Sequence, residues 1–249
     1  MILFLLFFIS SAYLCTTICN CRHIPCKVNK FIGMMHKIYF ENRCLIICSP
    51  DEPVMLDSNA IRFEPGNSPD IHGLVEMLET SSSLTHIYIE TDDFSEMYRK
   101  VCEEFKEVIA AGGLVTNRRG DFLLIRRNGL WDLPKGHRED DEDIKETARR
   151  EVEEETGIVG LFVGEIICVT DHCYRRDGIW HLKHTFWYKM YHGDPEDLTP
   201  QKEEDITKVA WVAKSGLAPF LLNTYPSITE VFREAGDLTR GGFFKLFDN

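Results

Sequence analysis

Basic charge is scarce in this sequence of 249 residues: 28 Lys and Arg stand against 40 Asp and Glu, a formal net charge of -12. That balance leaves no basic stripe for sequence-independent phosphate-backbone contact, so nucleic acid is not an expected partner. Low-complexity tracts and internal repeats are also missing, which excludes a disordered chain or a solenoid. Nine cysteines occur, but Cys15, Cys19, Cys21 and Cys26 crowd the start while Cys44, Cys48, Cys102, Cys168 and Cys173 are scattered. The scattered five sit mostly among apolar residues and read as small hydrophobes, not as a disulfide framework. With 44% hydrophobic and 27% charged residues, a core can form without staples.

Charge is wholly absent from residues 1–21, and the run up to Ile18 is largely apolar. It lacks the Lys or Arg that precedes a secretory apolar run, and no small-x-small cleavage site follows. Residues 1–34 are therefore expected to be an over-extended start, with translation from Met34 or Met35 and a cytoplasmic protein. A signal or a membrane anchor is the alternative.

From Met35 the pattern is α/β. Residues 36–48 read as two strands around the turn Glu41-Asn42. Breakers at Pro65, Gly66, Asn67, Ser68 and Pro69 mark a loop. Ile71, Leu74, Val75 and Leu78 recur at helical spacing over 70–80, residues 85–91 alternate as a strand, and Asp92 or Asp93 introduces a helix through about 105. Residues 35–105 are thus expected to be a small α/β domain without a chemical motif, suited to packing or to homodimer formation. A second domain, 106–235, begins with strands over 108–117 and 121–127. A helix follows over about 142–156, introduced by Asp140 and Asp141, then strands over 161–170, 180–191 and 206–214. A closing helix over 216–232 is interrupted by Pro226, and 236–249 is a tail.

Chemistry concentrates in residues 136–158, GHREDDEDIKETARREVEEETGI. Glu151, Glu154 and Glu155 stand at i, i+3 and i+4, so they share one helix face and repel one another. Ile144, Ala148 and Val152 form an apolar stripe beside them, which sets Glu155 near the buried border, where an unneutralised charge is costly. Hard divalent cations with oxygen ligands remove that cost, and magnesium or manganese suits a site that also receives phosphates. Gly157 ends the helix. An exposed acidic face would explain the glutamates alone, but not the glycines, the arginine and the spacing together.

This segment resembles the Nudix box, G-x5-E-x7-R-E-U-x-E-E-x-G-U with U aliphatic, and matches it at every position. The preceding Trp131-Asp132-Leu133-Pro134-Lys135 and the flanking strands extend the likeness over about 106–232. The resemblance implies an α/β/α sandwich around a mixed sheet and hydrolysis of a phosphoanhydride bond with Mg2+ or Mn2+. Glu151, Glu154 and Glu155 fall on the family's metal-binding carboxylates, and the backbone around Lys135-Gly136 on its carbonyl ligand. Arg150 falls on the arginine that orients the first glutamate, and Glu142 on the glutamate that supports the loop. The general base is Glu151 in many members and a later glutamate in others; here Glu204 is preferred over Glu203. Arg127 matches a phosphate-contacting position. Trp131 suits base stacking or core packing equally. Tyr174 stands where members acting on dinucleoside polyphosphates carry tyrosine, and no proline occurs between 135 and 194, unlike ADP-ribose enzymes. The Leu-Pro-Lys-Gly lead-in is similar to that of diadenosine tetraphosphate and diphosphoinositol polyphosphate hydrolases. The expected small-molecule substrate is a dinucleoside polyphosphate, with a nucleoside triphosphate second. The competing class is a catalytically idle nucleotide-sensing module, which would lack one or more box carboxylates.

Overall fold

The computed structural model describes residues 35–52, 58–66, 69–193 and 197–238. The expectations for residues 1–34, for Asn67 and Ser68, and for most of the tail lie outside the described residues. Among the described residues no helix is long and apolar enough to cross a membrane. The chain divides into two units, and Ile38–Asn42 groups with residues 107 onward while Arg43–Lys106 forms the first unit.

In the first unit, β2 (Arg43–Cys48) and β3 (Ala60–Phe63) both pair in parallel with β4 (His86–Glu90). Parallel pairing needs a crossover, and α1 (Ile71–Thr80) supplies it between β3 and β4, burying Ile71, Leu74, Val75 and Leu78. The Arg43 guanidinium donates to the carbonyls of Glu79 and Ser81 and so satisfies the end of α1. Asp93 caps α2 (Phe94–Cys102) by accepting from the Glu96 N–H at 3.0 Å. That helix stops at Cys102, three residues short of the sequence expectation. Cys44, Cys48, Cys102, Cys168 and Cys173 are all buried free thiols.

The second unit is built on a mixed sheet. Its strands are β5 (Lys106–Thr116), β6 (Phe122–Arg127), β9 (Phe162–Arg176), β10 (Ile179–Tyr191) and β11 (Ile206–Val212), in the order β11-β6-β5-β10-β9. β9 and β10 form a long antiparallel hairpin turning at Asp177-Gly178, both with positive φ. Ile38 and Tyr39 of β1 (Met35–Phe40) add in parallel beside Asp171 and His172 of β9. Short strands β7 (Leu130–Asp132) and β8 (Lys135–His137) pair with β6 and β5.

Strand alternation sorts the two faces. Phe122 and Leu124 join Trp187, Val212, Ile228, Val231 and Phe232 in one apolar cluster. The last three belong to α5 (Pro226–Glu234), which follows the short α4 (Ala218–Leu221). Pro226 starts α5 instead of interrupting a longer helix, because proline fits a first helical turn. Ile125 and Arg127 alternate to the other face, where Arg127 meets Glu155 of α3 (Ile144–Thr156). The sheet thus lies between α3 and α5. α3 is capped by Asp143, not by Asp140 or Asp141; its side chain accepts from the Lys145 N–H at 2.9 Å. Asp141 is in the left-handed region at φ 61°, inside the turn before the cap.

One buried ion pair is remote from α3. His184 and Asp171, both fully buried, face each other across β9 and β10, with Nδ1 donating to Oδ1 at 2.8 Å. Burial alone depresses His184, but the Asp171 carboxylate outweighs it, with Glu107 assisting, and raises it to about 10. A raised histidine contributes stability that is complete below its unfolded value of about 6.5 and is lost as pH climbs through the folded value. Asp171→Asn should cost about 3 kcal/mol at pH 6, as removing one partner of a buried pair does. The gap between wild type and Asp171→Asn should narrow from pH 6.5 to 10 in denaturant melts; a gap independent of pH contradicts the pairing.

Candidate active site

The glutamates of α3 differ in environment although they share a face. Glu155 is 1% exposed, Glu151 is largely buried and Glu154 is exposed. Glu155 accepts from the Arg127 guanidinium and from the Lys135 backbone N–H, each at 2.8 Å. Burial pushes its carboxyl up, against the pull of Lys135 and Arg127. Burial likewise raises Glu151 to about 7, with Glu155 and Glu154 adding and Arg150 opposing.

Arg150 ties the box together. Its guanidinium donates to both Glu142 oxygens, to Glu151 at 2.8 Å, to Glu154 at 3.0 Å and to the His137 carbonyl at 3.0 Å. Glu142 is pulled down to about 2 by that guanidinium and by the Thr147 hydroxyl. Glu142 also accepts from the Glu139 N–H, so it links the turn before α3 to the helix face.

Gly136 explains how a backbone strand approaches this face. A Cβ built there would overlap the Glu151 carboxylate. Only glycine lets β8 lie against that side chain. At the far end, Gly157 takes φ 78° and closes α3 with an N–H to Glu153 O bond of 2.8 Å. The Thr199 and Gln201 N–H groups then donate to the Thr156 and Glu155 carbonyls. This docking carries the turn Lys202–Glu204 to Arg127, whose Nη2 lies 3.4 Å from Glu204 Oε2.

Positive groups gather next to these acids. Lys135 Nζ pairs with the buried Asp132 at 2.6 Å. Lys183 on β10 is lowered to about 8, by burial first and then by Lys135 and Arg127. His172, across from it on β9, is lowered to about 4 by burial and then by Lys183 and Lys135. His137 is lowered to about 4 by burial and by the same cations. Lys183, depressed by burial and by the neighbouring Lys135 and Arg127, marks a place suited to an anion in a chain of charge -12.

The site therefore brings together Glu142, Arg150, Glu151, Glu154, Glu155, Gly136, Arg127 and Glu204. Tyr174 lies in a row with two near-parallel imidazoles, His172 at 6.2 Å and His181 at 5.2 Å, with Lys183 Nζ 5.2 Å from its ring centre. Trp131 is placed elsewhere. It pairs across β6 with Arg126, not with Arg127, so alternation turns it to the α5 face. There it packs edge-on against Phe220 at 4.7 Å, flanked by Arg126 and Lys208. Of its two sequence readings, these contacts match packing. Lys183, His172 and His181 were missed because their strands read as apolar; the signal is a Lys and two His at alternate positions in otherwise buried runs.

The donor set suits a hard divalent cation: carboxylate oxygens, one of them nearly sealed from water, beside a glycine cradle filled by the Glu151 carboxylate. Among the described residues no three acidic, His or Cys side chains are already gathered around one point. Glu151 and Glu154 instead share the Arg150 guanidinium, while Glu155 is held by Arg127 and the Lys135 N–H.

The NUDIX domain profile matches residues 106–233. The chain belongs to the NUDIX domain family. It is 29% identical over 152 residues to the mRNA-decapping protein g5R of African swine fever virus, covering 55% of this chain and 59% of that one. It is 25% identical over 154 residues to the RNA pyrophosphohydrolase of Erythrobacter litoralis, covering 53% of this chain and 93% of the relative. The chain thus spans about 59% of the length of the viral relative. Among solved structures, an Ap4A hydrolase of C. elegans is similar, with a TM-score of 0.42 and 23% identity over 52% of this chain and 95% of that one.

Proposed function

We propose that this NUDIX protein hydrolyses a phosphoanhydride bond in a nucleoside diphosphate linked to another group, a dinucleoside polyphosphate first and a nucleoside triphosphate second. The carrying observation is the crowd of cations, Arg127, Lys135 and Lys183, set beside the box glutamates. Acids alone would repel a polyphosphate and cations alone would only bind it. Two of the similar proteins are named for mRNA decapping and for RNA pyrophosphate hydrolysis, in line with this reading.

Glu151, Glu154 and Glu155, with the Gly136 carbonyl, would hold Mg2+ or Mn2+. Such ions, when bound, neutralise phosphate charge and lower the pKa of water toward neutrality. Arg150 keeps Glu151 fixed against the Gly136 backbone, so the carboxylate loses no orientation when substrate arrives. Lys135, Lys183 and Arg127 take up charge on the phosphates. Glu204 accepts the proton of the attacking water, because it is half exposed and Arg127 anchors it beside Glu155. Tyr174 offers its ring to a base.

The test is a panel of dinucleoside polyphosphates, nucleoside triphosphates and inorganic pyrophosphate with Mg2+ or Mn2+, reading products. Turnover that chelation abolishes is the expected result. Binding without turnover in any arm would support the idle sensing module instead. Tyr174→Ala should raise KM for a dinucleotide roughly tenfold, the loss of a stacking contact worth about 1–3 kcal/mol, while leaving KM for pyrophosphate much less changed. Equal shifts for both would remove the ring from base recognition.

A further inference from the structure

His181 and Tyr174 are cross-strand partners, and their rings are nearly parallel, 13° apart at 5.2 Å. His172 continues the same row on β9, two residues from Tyr174, and Lys183 continues it on β10. Two residues along a strand advance about 7 Å. The row therefore starts at the cations and runs one nucleoside's reach toward the β9–β10 turn. A phosphate held at Lys183 leaves its nucleoside directed along Tyr174 and His181.

His181 is 9% exposed, and its Nδ1 lies 3.0 Å from the Ile179 carbonyl oxygen. A carbonyl oxygen only accepts, so Nδ1 carries the proton, and in the neutral ring Nε2 keeps a lone pair. Nε2 has no hydrogen-bond partner among the described residues, yet it is not among the sealed, unpartnered polar atoms. A fixed acceptor at the end of an aromatic row favours a base with an N–H on its edge. Adenine, cytosine and guanine each carry an exocyclic amino group that can donate to this lone pair, whereas uracil and thymine carry none.

Resting on the function proposed above, we infer that His181 selects the base of the substrate, accepting a hydrogen bond from an exocyclic amino group through Nε2. A packing role for His181 would give stacking without this preference.

The experiment compares ATP with purine riboside triphosphate, which differs only in lacking the amino group, together with the corresponding dinucleoside polyphosphates. The readout is the ratio of KM values within each protein, which does not depend on the folded fraction. Wild type should favour the amino base about tenfold, the worth of one hydrogen bond. His181→Phe keeps a ring beside Tyr174 but has no acceptor, and its ratio should fall to near one. His181→Gln regains an acceptor and should retain a preference. A wild-type ratio near one, or a His181→Phe ratio still near ten, overturns the assignment of His181 alone. Failure to turn over any nucleotide overturns both this role and the function on which it rests.

Discussion

Glu155→Gln should lower turnover by more than roughly 100-fold while the protein still folds. Even partners one layer outside a metal site cost about 10–100-fold when changed, and Glu155 is placed in the site itself. Glutamine keeps the volume of the side chain and can accept from the Lys135 N–H, now 2.8 Å from Glu155 Oε2. It loses the charge that neutralises Arg127 and would hold a cation. The loss should therefore appear in kcat, with the folded circular-dichroism spectrum retained. Glu154→Gln should abolish turnover with less effect on stability, because that side chain is exposed and, among the described residues, hydrogen-bonds to Arg150 alone. Activity preserved in both variants would reject these residues as ligands.

Gly136→Ala should lower turnover about 100-fold without changing any charge. The added methyl falls on the Glu151 carboxylate, so either that side chain or β8 must shift. Displacing reacting groups by about 1 Å can cost on the order of 100-fold. Arg150 would resist the shift, since it holds Glu151 and the His137 carbonyl at once. Gly120→Ala is a useful contrast: that glycine also sits in a turn, at φ 79°, but nothing lies within 4 Å of an added Cβ. It should cost stability through its backbone alone and leave kcat near wild type. If both alanines behave alike, the close approach at Gly136 has no catalytic meaning.

The helix face was legible because its geometry is local. Three carboxylates at i, i+3 and i+4 meet on one turn whatever else the chain does, and Glu155 proved the most buried, as the adjoining apolar stripe implies. The strand partners were not legible, because they depend on register. Lys183 stands opposite His172, and His181 opposite Tyr174, only after β9 and β10 choose their pairing. Glu204 was singled out as one of two adjacent acids, yet its approach to Arg127 depends on Thr199 and Gln201 docking on the end of α3. Trp131 shows the reverse case: one residue of register separates a place beside Arg127 from one beside Arg126.

The most direct test is a titration of the full chain with Mn2+, followed by electron paramagnetic resonance of the free ion. Wild type should remove Mn2+ from solution at a saturable site, and Glu151→Gln combined with Glu155→Gln should leave the free signal almost undiminished. Identical titration curves for the two proteins, or no uptake by wild type, would contradict a site in which the buried glutamates of α3 hold the cation beside a polyphosphate.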